Sequence, residues 1–289
     1  MTITAPIKVR TNSLRSAPTR RRTVPPWIFT ITGILFLSIM LFPIYWMINA
    51  SLQPSGNTLT AGLFPTNPSF AGYEAAISQQ GKNLITSLVV SAGTVVFSLV
   101  IAAPAAYALA QFRFRWINFA LLAILISQMI PGIVIANALY AAYNDLGLLN
   151  SIPGLILADA THAIPFAILI LRAFMIGIPP SLVEAARVDG AGLVRAFFSI
   201  VLPISRNSVI TAGLFSFLFS WSDFLFALTL TTTQDVRPVT LGIYQYLGSE
   251  VSNWSAVMAT AVLSSLPAIV LLLIAQKYIA AGATGGAVK

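Results

Sequence analysis

Cysteine is absent from the chain and histidine occurs once. No disulfide framework and no cysteine-ligated metal site is available, and a lone imidazole removes the histidine clusters of catalytic metal centres. Charge is nearly as scarce: Asp, Glu, Lys and Arg make up 8% of residues, against about a quarter in a soluble globular domain. With 57% apolar residues the chain has too little polar surface to cover itself in water, which makes lipid its main solvent. Two catalytic patterns are missing as well, the Gly-x-Ser-x-Gly elbow and the His-Glu-x-x-His pair. So is the phosphate-cradling Gly-x-x-x-x-Gly-Lys-Ser/Thr loop, since Gly81-Lys82-Asn83 lacks both the upstream glycine and the hydroxyl.

What is present is apolar sequence in long runs. Six stretches, Trp27–Asn49, Leu84–Ala110, Ile117–Tyr143, Gly154–Ile176, Ile204–Leu230 and Ser255–Ala281, are mostly apolar. Each holds about 20 or more residues, the length a helix needs to cross a hydrocarbon core of roughly 30 Å. Such runs do not alternate as barrel strands do, so the expected fold is all-α, a polytopic membrane protein with six transmembrane helices.

An even number of spans puts both termini on one side. Lys8, Arg10, Arg15, Arg20, Arg21, Arg22, Arg113, Arg115, Arg172, Arg187, Arg195, Arg206, Lys277 and Lys289 then share that side, with Lys82 and Arg237 opposite. The positive-inside rule makes the basic side, and both termini, cytoplasmic. The net charge of +8 is therefore topological and does not point to nucleic acid. The run from Trp27 exceeds the roughly 7–15 apolar residues of a signal peptide, so the first helix is expected to be retained. The expected division is a basic cytoplasmic tail over 1–26, a first helix and outer segment over 27–83, a five-helix core over 84–281 and a cytoplasmic tail over 282–289.

Pro43, Pro104, Pro131, Pro165, Pro203 and Pro267 fall inside or at the edge of the apolar runs. An interior proline removes a helix donor and bends the helix. The expectation is ordinary kinks, with hinges of an alternately opening channel as the other reading. Of the outer connections, Ser51–Asn83 is turn-rich with one short helix. Thr231–Trp254, which holds TTTQDVRPVTLGIYQYLGSE, is expected to fold over the mouth of a cavity.

One inner connection stands apart because it concentrates charge: Glu184, Arg187, Asp189 and Arg195 lie within twelve residues. In PPSLVEAARVDGAG, Pro179 and Pro180 stop the preceding helix, and Ser181 three residues before Glu184 fits a reciprocal capping box. Ala185 and Ala186 favour helix, and Gly190 is a natural stop. A short surface helix from about Leu182 to Asp189 follows. Leu182, Ala185 and Ala186 give it a smooth side, and Arg187 and Asp189 face water or a partner.

Glu184-Ala185-Ala186, then Gly190, then Ile200-Val201-Leu202-Pro203, resembles at its full spacing the EAA signature of bacterial ATP-binding-cassette importer permeases. LFPIYWMINASLQP, AAYALAQFRF and WSDFLFALTL are similar to the sugar-importer branch of that family, and AQKYIAAGATGGAVK to the C-terminus of its maltose-type second permease subunit. The resemblance implies a permease without its own ATPase site, with no cofactor bound by this chain. ATP and Mg would sit on two ATP-binding-cassette ATPase subunits. It further implies a second related permease chain as heterodimer partner and an extracytoplasmic sugar-binding protein. On this resemblance the helix at about 181–190 docks into the ATPase, with Glu184, Ala185, Ala186, Asp189, Gly190, Ile200, Leu202 and Pro203 as coupling residues. The tail 282–289 would extend towards the ATPase dimer.

Ionisable groups within spans are costly, about 2.5–3.5 kcal/mol for an Asp at the bilayer centre, and so mark candidate functional positions. Asp159 and His162 share a helix face, with His162 about 12 Å along the helix from Gly154. They are expected to hydrogen-bond each other, either lining a sugar path or fixing helix packing. Asp223, beside Trp221 and Ser222, lies about 28 Å along the fifth run. Trp221 reads first as an interface anchor, and otherwise as a ring stacked on sugar beside the Asp223 carboxylate. The branch commonly has Asn-Glu or Asn-Asp where this chain has Ser222-Asp223. A proton-coupled secondary transporter relaying through Asp159 and His162 is the alternative reading. An intramembrane hydrolase would need a serine and an oxyanion site around His162.

Overall fold

The computed structural model describes residues 25–54, 62–113, 115–246 and 253–285. The expectations for the basic tail up to residue 24 and for 286–289 lie outside the described residues. The chain divides into two units, the first ending at Tyr45. Most of α1 (Pro26–Ser51) belongs to that first unit, an apolar helix with Pro43 inside it and with Phe29, Leu35, Phe36 and Phe42 all exposed.

The second unit is built on α2 (Ala71–Gln111), α5 (Ile152–Met175), α9 (Arg206–Trp221) and α12 (Trp254–Gly285), with α2 packed against the other three. Their contact faces carry small side chains: Ser91, Thr94, Ser98, Ala102 and Ala106 on α2, Ala158, Ala163 and Ala167 on α5, Ala212, Gly213 and Ser216 on α9. In lipid, helix association depends on close van der Waals approach, which small residues permit. The start of α2 is also close-packed: a Cβ at Gly72 would stand 2.9 Å from backbone atoms of Ser255 and 3.0 Å from the Ser51 carbonyl oxygen.

Four helices, Trp27–Ser51, Ala71–Gln111, Ile152–Met175 and Trp254–Ile279, are long and apolar enough to cross a membrane. Up to six spans result if each of two bent pairs counts as one. Two breaks correct the continuous runs expected above. The Ile117–Tyr143 run divides into α3 (Ile117–Ser127) and α4 (Gly132–Leu146), inclined by 91°. Pro131 has no N–H to continue α3 and serves instead as the extended residue that opens α4. The Ile204–Leu230 run divides at Ser222–Phe224 into α9 and α10 (Leu225–Leu230).

Before α9, residues Leu193–Ile204 lie at 81° to it and comprise α7 (Leu193–Ala196), a π-helical turn (Phe197–Val201) and α8 (Leu202–Ile204). The wider turn precedes Pro203, whose missing N–H leaves a carbonyl without its usual partner. The amide of Leu202 bonds back to the Phe197 carbonyl, five residues away.

The segment between α1 and Leu84 differs from expectation too. Residues 71–83 are the first turns of α2, and their polarity is what hid them from the apolar count. Thr231–Trp254 contains α11 (Val239–Tyr246), joined to α2 by the Val239 amide donating to Ser87 Oγ at 2.8 Å. At the other end, residues 282–285 continue α12.

Candidate functional site

Two features hold the residues singled out in the sequence. The first lies where the start of α4 and the break between α9 and α10 meet α5. Helix α5 is started by Ser151, whose hydroxyl accepts from the Gly154 amide at 3.1 Å, and it carries Asp159 and His162 three residues apart. Asp159 is 5% exposed and accepts from Ser220 Oγ on α9. His162 Nδ1 lies 3.3 Å from Thr161 Oγ1, and its ring centroid is 5.6 Å from that of Phe226 on α10. Asp223 stands in the break between α9 and α10. Its carboxylate accepts from the Phe226 and Ala227 amides at 3.2 and 3.0 Å, closing the first turn of α10. Thr240 Oγ1 donates to the Asp223 carbonyl at 2.6 Å and ties α11 to the same break.

Asp159, His162 and Asp223 line one cavity of about 230 Å³, completed by Gly132, Phe219, Leu225 and Phe226. Two carboxylates, an imidazole and two phenyl rings around one space supply hydrogen-bond acceptors, a donor and flat apolar walls. A Cβ at Gly132 would stand 3.2 Å from the Leu225 side chain and 3.9 Å from that of His162, so α4 opens in close contact with both. Among the described residues no three His, Cys, Asp or Glu side chains form a metal-holding group.

The structure therefore brings together Asp159, His162 and Asp223, and corrects how they were expected to interact. Asp159 pairs with Ser220 on the neighbouring helix, because the short hydroxyl comes straight across the interface. Trp221 is not an interface anchor. It is buried, stacks on Phe217 with ring centroids 5.4 Å apart, and donates from Nε1 to the Ser264 carbonyl at 2.9 Å. Ser222 is exposed, bonds back to the Leu218 carbonyl and does not line the cavity. Ser220, Gly132 and Phe226 went unpredicted. The Pro131-Gly132 pair was the one local signal, since serine and phenylalanine recur throughout the chain.

The second feature is α6 (Pro180–Val188). The capping box does not form: Pro179 is the residue before the helix, no side chain caps it, and Ser181 already sits in its first turn. A proline at the first helical position loses only an N–H that has no helical partner there. The exit is a Schellman motif, with the Ala191 amide on the Ala186 carbonyl at 2.9 Å and the Gly190 amide on the Arg187 carbonyl at 3.1 Å. Gly190 has φ of +86°, the left-handed conformation that glycine adopts without steric cost.

Val183 is buried and Ala186 half-buried against the core that also holds Tyr107, Ala196 and Phe197, so Ala186 turns inward rather than onto the outer side. Leu182, Glu184, Ala185, Arg187, Val188 and Asp189 are exposed, Val188 by 87%. Ile200 is half-buried, Leu202 packs on the same core, and Pro203 is exposed. The base of α6 is fastened to α2: Gln111 Nε2 donates to the Met175 and Ile178 carbonyls at 2.7 and 3.0 Å, and Arg172 Nε to the Leu109 carbonyl at 3.1 Å.

Residues 98–284, which include both features, match the family described as the binding-protein-dependent transport system inner membrane component. The chain belongs to that family. It is a membrane-embedded permease, a transport component lacking its own ATPase site. It is similar to the trehalose transport system permease protein SugB of Mycobacterium tuberculosis, 33% identical over 90% of this chain and 97% of the relative. It is also similar to the melibiose/raffinose/stachyose import permease protein MelC of Bacillus subtilis, 31% identical over 93% and 98%. Among solved structures, a chain of a bacterial ABC transporter involved in the import of the acidic polysaccharide alginate shares the fold. It has a TM-score of 0.73 and 24% identity, over 89% of this permease and 98% of that chain.

Proposed function

We propose that this permease is one half of the transmembrane pore of an ATP-driven, binding-protein-dependent sugar importer, moving a di- or oligosaccharide or related carbohydrate by alternating access. Relatives named for trehalose and for melibiose, raffinose and stachyose align over nearly the whole chain, and this carries the substrate class. Six spans with both termini cytoplasmic, counting each bent pair as one, agree with the distribution of Lys and Arg.

The permease acts as conduit and lever. A second related permease chain completes the pore, two ATPase subunits carrying ATP and Mg dock from the cytoplasm, and an extracytoplasmic sugar-binding protein delivers cargo. The exposed side of α6, with Leu182, Glu184, Ala185 and Val188, seats in the ATPase. Val183 and Ala186 press on the core, and the Gln111 and Arg172 bonds fasten the end of α5 to α2. Displacement of α6 is therefore passed to α2 and α5 as a body, and through Leu193–Ile204 to α9. At the far end of that train lies the cavity of Asp159, His162 and Asp223, which lines the sugar path: hydroxyls meet the carboxylates and imidazole, and ring faces meet Phe219 and Phe226.

Proteoliposomes holding the four-subunit assembly, with binding protein outside, test this reading. Saccharide accumulation should need ATP and survive collapse of the proton gradient. Accumulation that follows the proton gradient and ignores ATP would overturn it.

A further inference from the structure

The turn between α2 and α3 gathers basic and aromatic groups that the transport reading does not use. Arg113, Arg115, Ile117 and Asn118 frame an open cavity of about 400 Å³. Neither guanidinium has a carboxylate partner among the described residues. Arg115 instead lies over the Trp116 ring, 5.2 Å from its centroid, and Trp116 is 60% exposed. Unpaired guanidiniums beside an exposed indole match the depth at which lipid phosphates and interfacial tryptophans sit.

Helix α3 continues from this collar with one side bare. Ala120, Leu121 and Ile124 pack on the core, whereas Phe119, Leu122, Leu125 and Ile126 are exposed by half or more. The eleven residues of α3 rise about 16 Å, close to the roughly 15 Å depth of one leaflet's hydrocarbon. At that depth the chain turns by 91° into α4.

We infer that this collar and the bare face of α3 form a binding site for an anionic phospholipid. The phosphate sits on Arg113 and Arg115, with Asn118 beside it, and an acyl chain lies along Phe119, Leu122 and Ile126. Charge complementarity selects this occupant. A zwitterionic headgroup brings its own cation next to two guanidiniums, and a protein face would have to bury both charges against acids of its own.

The test reconstitutes the full chain in neutral phosphatidylcholine nanodiscs with rising amounts of brominated phosphatidylglycerol or brominated phosphatidylcholine. Quenching of Trp116 is isolated by subtracting the Trp116→Phe signal. Brominated phosphatidylglycerol should quench preferentially. Each arginine should contribute about fivefold to the preference, so Arg113→Gln/Arg115→Gln should lower it roughly twentyfold while Lys277→Gln leaves it unchanged. Each single variant, should the double one fail to insert, reads about fivefold. Equal quenching by both lipids, or an undiminished preference in the double variant, overturns the site. So does loss of quenching by both lipids once a second permease chain is bound, which would assign the face to protein.

Discussion

Ser220 on α9 donates its hydroxyl to the Asp159 carboxylate on α5, so a single side-chain bond joins two helices beside the polar cavity. A carboxyl group buried in this position must keep hydrogen-bond partners, and leaving a buried polar group unsatisfied costs about 1–3 kcal/mol. Ser220→Ala should therefore lower thermal stability by an amount in that range and reduce uptake. Asp159→Ala should alter uptake while leaving co-purification of the ATPase unchanged. Loss of ATPase co-purification in Asp159→Ala would make the residue a packing element.

Asp223 closes the first turn of α10 through two backbone amides, so its role divides by substitution. Asparagine keeps an acceptor and alanine does not. Asp223→Ala should cost about 1 kcal/mol, the usual worth of a helix cap, read as a lowered melting temperature, whereas Asp223→Asn should melt near the parent. If Asp223→Asn nevertheless transports poorly, the charge itself serves the path.

These two carboxylates also show what was legible in the chain. Asp159, His162 and Asp223 stood out because ionisable groups are rare in apolar runs, and all three line one cavity. The Ser220 partner of Asp159 was hidden, because contact across α5 and α9 depends on helix rotation, which composition does not encode. Helix α5 was readable to within a residue or two, its Ile152–Met175 matching the expected run Gly154–Ile176. The breaks at 128–131 and 222–224 were not, since apolarity runs straight through both, and at the first an intramembrane proline signals a kink as readily as a break. Trp221 misled for a related reason: tryptophan at a helix end is usually wet, and here Ser264 supplies the partner that water would have given.

Gly190 holds the exit of α6 in a left-handed conformation with open space around its Cα. Strain there is conformational rather than steric, roughly 1–2 kcal/mol for an L-residue. Gly190→Asn should be milder than Gly190→Ala, since Asn visits that region more readily. Gly190→Asp and Glu184→Lys should leave the protein inserted while ATP turnover separates from uptake, measured together in proteoliposomes. Unchanged uptake in both at equal membrane abundance would argue against the lever.

Gly72 gives a purely structural prediction. Its would-be Cβ meets backbone of Ser255 and Ser51, which have no flexible end to move aside. Gly72→Ala should destabilise by about 1–3 kcal/mol through overpacking, seen as a lower melting temperature in detergent, with a smaller effect for Gly192→Ala, where the space is open.

The absence of native cysteine makes the central claim directly measurable, since one introduced thiol is unique in the chain. Ala185→Cys, on the exposed side of α6, should crosslink to an ATPase subunit in the assembled importer, with a yield that differs between ATP-bound and nucleotide-free states. No crosslink in any nucleotide state, from an assembly that still imports sugar, would contradict the account.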